Sequence, residues 1–388
     1  MIVVSRPDLV NDVLMTHRSD FSKSYLTDLM HPLVAGSLLL EDSDSWLRER
    51  RLVLPAFHHE RLAGYGDVMA EEAARIAQSW AQPQRRDVHA DWMRMTLRVV
   101  TRTLFGVDFA EGVSVAEKLV TTLMDEFNRR IAGRRPALPI PSLRLLRVMS
   151  SLRELDRIAY RAIGERRERP AGDLLSMLVE ARDEDGTPMT DREIRDACIA
   201  VFFAGHETTA CLLSWTSFML AGRPELQERV REELGQTSHP ALLPARTPLT
   251  QAVLSEVLRL FPPAYAFGRR ALRPSRVGGY DVEPGTTVLM SPWAMHRDPR
   301  YFDDPEEFRP ERWLGGLASR LPRFAYFPFS SGPRRCVGSS FALMEATIAL
   351  AVLLPRFELG GPPPTAEPAP SMTLRPPRGM TLEISVRN

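Results

Sequence analysis

Cys336 stands in the stretch Phe329-Ser330-Ser331-Gly332-Pro333-Arg334-Arg335-Cys336-Val337-Gly338, and a helix-like run from Phe341 to Leu354 follows at once. The thiol is therefore held in a loop shaped by glycine and proline, beside arginines, at the head of a helix. Helix amides and nearby positive charge both lower a thiol pKa. A lone cysteine is otherwise a small buried hydrophobe. That role leaves the glycines, the paired arginines and Phe329 without a reason. A thiolate held ready to ligate iron accounts for all of them.

A second polar cluster sits in the least polar part of the chain. Thr190 and Glu193 form a capping box, and helical pattern then runs to Leu220, where Gly222 and Pro224 mark the stop. Some thirty residues at ~1.5 Å each give ~45 Å, the width of a domain. The middle, Ile199 to Ala204, is apolar nearly all round, so this helix is expected to cross the core. Gly205-His206-Glu207-Thr208-Thr209 lies in that centre. Buried Glu and Thr are costly without a task or a partner. A third pair, Glu256 and Arg259, shares a face of the run Gln251 to Leu260. Alone it is a weak signal, worth a few tenths of a kcal/mol on a surface.

The elements that must position these residues are mostly helical. Trp46 to Phe57, Leu62 to Trp80, Val88 to Leu104, Val115 to Arg130 and Leu143 to Arg169 carry apolar residues at helical spacing. Gly133 to Pro141 is proline-rich and reads as a loop, as does Gly361 to Pro370. Ile2 to Val4 reads as a strand and Pro7 to Leu14 as a helix. Late strands are expected at Arg276 to Tyr280 and Thr286 to Met290, flanking a Glu283-Pro284-Gly285 turn. Two more follow at Met372 to Leu374 and Thr381 to Ile384. There is no internal repeat. With 388 residues and 44% hydrophobic content, the chain can bury a substantial core as one domain spanning 1–388.

Composition excludes several classes. Three cysteines, Cys198, Cys211 and Cys336, are too few for a secreted disulfide framework. Two of them fall in apolar helix pattern and are read as packing residues. A net charge of +1 gives no pull toward nucleic acid or an anionic membrane. Ile2 to Val4 is far short of the ~20 residues of a membrane span, and no signal peptide is apparent. The expectation is a cytoplasmic monomer with no membrane anchor.

The Cys336 decamer resembles the haem-binding loop of cytochromes P450, Phe-x-x-Gly-x-Arg-x-Cys-x-Gly. Phe329, Gly332, Arg334, Cys336 and Gly338 fill every position, while Ser330 replaces the usual second glycine. Ala204, Gly205, Glu207 and Thr208 match the family pattern Ala/Gly-Gly-x-Asp/Glu-Thr. Glu256-x-x-Arg259 is followed by Pro305-Glu306-Glu307-Phe308-Arg309-Pro310-Glu311-Arg312-Trp313, similar to the Pro-Glu-Arg-Phe segment, with Trp313 in place of Phe. Trp46-x-x-x-Arg50 fits the third helix of the family. The likeness runs from Pro7 to the C-terminus.

The resemblance implies a mainly α fold with small β-sheets, an α-helix-rich lobe plus a smaller β-containing lobe, with the N-terminal elements shortened. One edge of the small sheet would then lack a partner strand. It implies haem b (iron protoporphyrin IX) with Cys336 as the axial iron ligand. Arg334, Trp46, Arg50 and Arg269 would meet haem propionates, Phe329 would pack near the sulfur, and amides around Gly338 would temper the thiolate. Gly205 would open space above the iron. Glu207 and Thr208 would deliver protons, with His206 a packing neighbour. Glu256, Arg259 and Arg312 would form a buried network that shapes the thiolate side.

The implied reaction is a monooxygenation, hydroxylation or epoxidation, in which one atom of O2 enters a hydrophobic small molecule such as a terpene or fatty acid. Substrate would meet Leu38, Phe203, Ala204, Ala264 and Phe267, within walls at 25–40, 121–143, 200–204 and 263–267. No flavin or nicotinamide module is recognised in the chain. Electrons would come ultimately from NAD(P)H through a separate ferredoxin and ferredoxin reductase. The donor would dock on exposed charge from Arg48, Arg51, Arg334 and Arg335. The rivals are a peroxide-driven peroxygenase, against which the Glu207–Thr208 pair argues, and a non-catalytic haem sensor.

Overall fold

The computed structural model describes residues 1–23, 38–39, 44–106, 143–236, 243–361 and 367–387. The helix expected over 115–130, the loop at 133–141, and the wall segments at 25–37 and 121–142 lie outside the described residues. The chain divides into two compact units, 1–26 with 59–95 and 208–388, and 27–58 with 96–207.

Every strand among the described residues belongs to the first unit. They are β1 (Ile2–Val4), β2 (Phe21–Lys23), β3 (Gln84–Arg86), β4 (Phe267–Ala271), β5 (Ser275–Val277), β6 (Tyr280–Val282), β7 (Thr287–Met290), β8 (Phe357–Gly360), β9 (Ala369–Pro370), β10 (Leu374–Arg375) and β11 (Leu382–Val386). The largest sheet runs β1-β7-β4-β2, with β1 parallel to β7 and at the edge. Its inner face, with Val4, Val288 and Met290, joins Val10, Val13, Leu14, Phe324 and Phe327 in one core. The segment leading to Cys336 is thereby pinned by two phenylalanines to the sheet. The smaller sheets are β3-β11-β8, β5-β6 and β10-β9.

The hairpin differs from the sequence expectation. β5 pairs with β6 across Gly278-Gly279, whose φ values are 58° and 86°. Two residues with positive φ match the right-handed twist of a tight hairpin, and Gly supplies them without strain. Gly278 also lies so close to Leu9 that a Cβ would fall 2.2 Å from its Cδ2. Thr287–Met290 instead enters the four-stranded sheet, so the Glu283-Pro284-Gly285 turn joins two sheets. The proline-rich end of 361–370 is not all loop, because Ala369–Pro370 pairs with Leu374–Arg375.

Helices follow the apolar periodicity. Pro7–Asn11 is helical, and the backbone then widens to a π-type turn at Asp12–Thr16. His59–Ser79 packs against Ser339–Leu353. Pro248–Leu260 starts at a proline, whose missing N–H costs nothing in a first turn. In the second unit, Asp44–Val53 passes into a 3-10 turn, Leu54–Phe57, where Pro55 ends the α-helix. Leu143–Glu168 and Leu174–Glu180 follow. The helix Asp191–Ala221 opens on the expected capping box, since Thr190 N–H donates to Glu193 Oε2 at 2.7 Å and Glu193 N–H donates to Thr190 Oγ1 at 3.2 Å.

Candidate active site

The cysteine loop is a compact set of turns. Cys336 N–H donates to Phe329 O at 2.9 Å, Ser330 N–H to Phe327 O at 3.0 Å, and Arg335 N–H to Gly332 O at 3.1 Å. A 3-10 turn covers Gly332–Arg334, and Gly338 is the N-cap of Ser339–Leu353. Gly332 has φ 70°, and a Cβ there would meet Met15 Sδ at 2.8 Å and Leu14 O at 3.2 Å. The loop therefore rests on the Asp12–Thr16 turn at a point where only glycine fits. Ser330 has φ 58°. This is the position where the resemblance expects glycine, and serine bears the left-handed strain.

The three thiols separate by environment. Cys198 and Cys211 are buried, and burial pushes the Cys198 thiol up to about 12. Both are packing residues, as their helical setting suggested. Cys336 is exposed and in no disulfide. It alone of the three reaches the surface of its unit.

Behind the loop, Glu256 and Arg259 are fully buried. Five donors converge on the Glu256 carboxylate. Arg259 Nη2 (2.8 Å), Arg309 N (2.9 Å) and Arg312 Nε (3.0 Å) reach Oε1, while Arg259 Nε (2.9 Å) and Trp313 Nε1 (2.8 Å) reach Oε2. Arg259 also donates to the carbonyls of His296, Pro305 and Glu307. The expected Glu256–Arg259–Arg312 network is present, and the ions are matched as burial requires. Sequence reading noted Trp313 only as a departure. Its indole N–H is a donor that phenylalanine lacks. His296 was also missed; its Nε2 accepts from Phe327 N–H at 2.9 Å.

Glu345, in the helix after Cys336, is the opposite case. It is buried, no hydrogen bond reaches Oε1, and desolvation pushes its carboxyl well above the ordinary range. Burial thus favours its neutral form.

In the middle of Asp191–Ala221, Val201, Ala204, Gly205 and Thr208 are exposed or half-buried, whereas Phe202, Phe203, His206, Glu207 and Thr209 are buried. The spacing i, i+3, i+4, i+7 makes one narrow accessible stripe on a helix that is otherwise core. Of the residues singled out, Ala204 and Thr208 lie on the stripe. Phe203 and Glu207 do not. Phe203 packs edge-on against Phe202, with centroids 5.6 Å apart. Gly205 lies on the stripe and has a packing reason as well. A Cβ there would meet Val100 Cγ2 at 3.1 Å, so glycine also lets Val88–Phe105 approach. His206 Nδ1 lies 2.9 Å from Phe202 O, a packing role as expected.

On Asp44–Val53, Trp46 is buried and the Arg50 guanidinium lies 5.7 Å from its ring centroid. Of Arg48 and Arg51, the two candidates for exposed charge on this helix, Arg51 is exposed and Arg48 is not. Arg48 binds Asp183 Oδ2 (2.7 Å), Glu193 Oε1 (2.5 Å) and Pro188 O (3.1 Å), and Arg51 binds Glu184 (2.6 Å). Arg48 is half-buried, and both positive charges are matched by carboxylates. Arg334 is half-buried and Arg335 exposed. On β4, Arg269 donates to Gly268 O at 2.9 Å and sits beside Phe267. Ala264 is exposed, and Leu38 and Phe267 are half-buried.

These features fit a haem thiolate. The loop offers a surface-reaching thiol at a helix head, and the central helix offers an accessible stripe of small residues ending in a hydroxyl. The cytochrome P450 family description matches residues 1–384. Cyclooctatin synthase from Streptomyces melanosporofaciens is 34% identical, over 97% of this chain and 83% of its own. Cyclooctat-9-en-7-ol 5-monooxygenase from the same organism is 33% identical, over 95% and 80%. Pentalenene oxygenase from Streptomyces avermitilis is 31% identical, over 99% and 88%. The chain belongs to the cytochrome P450 family and is a haem-thiolate monooxygenase of the oxidoreductase class.

Proposed function

We propose that this monooxygenase inserts one atom of O2 into a cyclic alkene or alkenol of terpene type, by hydroxylation or epoxidation. The observation that carries the reading is the accessible Ala204–Gly205–Thr208 stripe on an apolar helix, a surface suited to hydrocarbon with one hydroxyl nearby. The names of the relatives support the class: two carry an alkene or alkenol name, pentalenene and cyclooctat-9-en-7-ol.

Cys336 is the residue that ligates the haem iron, and bound haem supplies the oxygen activation. Arg334, Arg269, Trp46 and Arg50 hold the propionates, Phe329 packs by the sulfur, and Gly338 opens the helix amides beside it. The Thr208 hydroxyl places a proton on the stripe, and Glu207, buried one residue before, holds the acid that replenishes it. Leu38, Phe203, Ala204, Ala264 and Phe267 are the proposed substrate contacts, with Phe203 acting from behind the stripe.

Electrons come from NAD(P)H through a separate ferredoxin reductase and ferredoxin, and exposed Arg335 supports docking of an acidic carrier. One helix, Asp191–Ala221, is long and apolar enough to cross a membrane, but 78% of its apolar window is buried. That supports a core helix and not a membrane span.

The test is a binding screen that follows the iron spin state against cyclic alkenes, fatty acids and macrolides. Turnover is then compared between a ferredoxin system and peroxide alone. A spin shift and product with a cyclic alkene and ferredoxin are expected. Turnover with peroxide alone would overturn the oxygen-dependent reading, and a response confined to fatty acids or macrolides would overturn the substrate class.

A further inference from the structure

His296 is fully buried between the Pro248–Leu260 helix and the approach to the cysteine loop. Its carbonyl accepts from Arg259 Nη1 at 2.9 Å, and its Nε2 accepts from Phe327 N–H at 2.9 Å. The ring is enclosed by aromatic neighbours, with centroids of Tyr326 at 4.9 Å, Phe327 at 5.5 Å and Phe302 at 6.4 Å. Tyr326 OH in turn donates to Ser255 O at 2.9 Å.

A neutral imidazole has one acceptor nitrogen. Burial, and then the charge of Arg259, push the ring down to about 3, so it stays neutral at physiological pH. With Nε2 receiving the Phe327 amide, the ring proton belongs on Nδ1. The Leu258 and Arg259 carbonyls favour a proton on the ring, although neither meets hydrogen-bond geometry at Nδ1. The Phe327 amide thus sets the tautomer.

We propose that His296 is a positioning residue that couples the buried Glu256–Arg259 cluster to the cysteine loop, its carbonyl fixing Arg259 and its ring fixing the Phe327 amide. Phe327 O is the acceptor for Ser330 N–H, and Phe329 O for Cys336 N–H. A shift at the Phe327 peptide therefore passes through two successive turns to the thiol. Tyr326 OH gives the segment a second tie to the helix, but only the His296 ring holds the backbone from which the turns start. The role rests on Cys336 being the haem ligand.

The experiment uses haem-loaded protein with His296→Leu, which fills space without an acceptor, and His296→Gln, whose Oε1 reaches where Nε2 stood. Amide hydrogen exchange is read at Phe327 and through 327–338, together with the thiolate signature of the reduced carbon monoxide complex. In His296→Leu, exchange at Phe327 should rise about tenfold, the change expected from one lost buried hydrogen bond. Part of the thiolate signature should be lost, with Pro248–Leu260 exchange unchanged. His296→Gln should restore both. Wild-type exchange and spectrum in His296→Leu would overturn the proposal. So would a glutamine variant as impaired as leucine. Should His296→Leu fail to fold, His296→Gln decides: wild-type loop protection supports the role, and failure overturns it. A wild-type protein without the thiolate signature would instead sink the ligand assignment.

Discussion

The region behind Cys336 and the middle of the Asp191–Ala221 helix are both buried, yet they are stabilised by opposite means. Behind the cysteine loop, five donors saturate one carboxylate, and an arginine spreads over three carbonyls from distant segments. In the helix, hydroxyl side chains turn back on their own turn, and Ser214 and Ser217 also meet His89 Nδ1 at 2.9 Å and Trp92 Nε1 at 3.1 Å. Ser214, Thr216 and Ser217 donate to Ala210 O, Leu212 O and Leu213 O, and His206 pairs with Phe202 O. The first arrangement fixes separate chain segments to one another. The second relies on neutral hydrogen bonds and apolar packing along the buried side of the helix, so a side chain on the accessible stripe can change with little effect on folding. The proposed ligand platform is over-determined, and the proposed reactive surface is left open to variation.

The sharpest way to break this contrast is Arg259→Leu. It leaves Glu256 with three of its five donors, from Arg309, Arg312 and Trp313, and removes three carbonyl ties. Breaking a buried pair costs about 3–5 kcal/mol. Thermal melting and the haem-to-protein ratio should both collapse. Full haem occupancy with an unshifted melting temperature would mean that the cluster does not hold the loop.

Glu345→Gln probes the other buried acid. In the unfolded chain this carboxyl ionises near its ordinary pKa of 4.5, while the folded form keeps its proton well above that. The folded state then binds more protons, so stability falls as pH rises between the two values. The fall is tenfold in the folding equilibrium per pH unit over that window. Glutamine removes this term. The variant should gain on wild type as pH rises from 5 to 8, as melting temperatures at both ends would show. A gain that does not change with pH would place the ionised form in the folded protein.

Trp313→Phe removes one donor from Glu256 and keeps an aromatic ring. A hydrogen bond to a charged group is worth about 1.5–3 kcal/mol, so denaturant midpoints should fall by that measure, with the thiolate signature retained. A double-mutant cycle with Glu256→Gln should reveal coupling; strict additivity would deny the contact.

What could be read from sequence follows the range of the interactions. The Cys336 loop was legible because its turns, glycines and helix start are contiguous. Glu256 and Arg259 were legible as a pair, but Trp313 Nε1 lies 57 residues away from Glu256 and read only as a substitution for Phe. Arg48 was read as a candidate for exposed charge, since the acids that pair with it stand 135 and 145 residues further on. His296 had no signal, since its partner is a backbone amide, which sequence does not label. Gly278-Gly279 was read through as strand, although the pair is itself a hairpin turn signal. Ala204, Gly205 and Thr208 were legible by motif, but that they form one accessible stripe emerged only from burial, which residue type alone does not give.

Ser330→Gly tests the one visible flaw of the platform. Serine at φ 58° bears about 1–2 kcal/mol of left-handed strain, partly offset by the greater unfolded freedom of glycine. A net gain of under ~1 kcal/mol is expected, with an unchanged spectrum. A loss of stability would mean that the Ser330 side chain contributes contacts that outweigh the strain.

Thr208→Ala should have the smallest effect on stability and a specific effect on chemistry. The residue is half-buried on the stripe, and alanine is the better helix former. Substitution at such a site stays within about 0.5 kcal/mol. Haem and substrate binding should be close to wild type. The hydroxyl, however, is the proton-bearing group on the stripe, and Glu207 is buried beside it in sequence. Without the hydroxyl, protons reach the reacting oxygen out of order. Electrons drawn from the nicotinamide should then appear as hydrogen peroxide instead of product. The measurement is product formed per nicotinamide oxidised, with peroxide assayed in parallel and a melt to confirm the fold. A wild-type ratio would remove Thr208 from the proton path. A lower ratio with an altered melt would return it to a structural role. A lower ratio with an unchanged melt would establish that the stripe is tuned for reaction independently of the scaffold that holds the thiol.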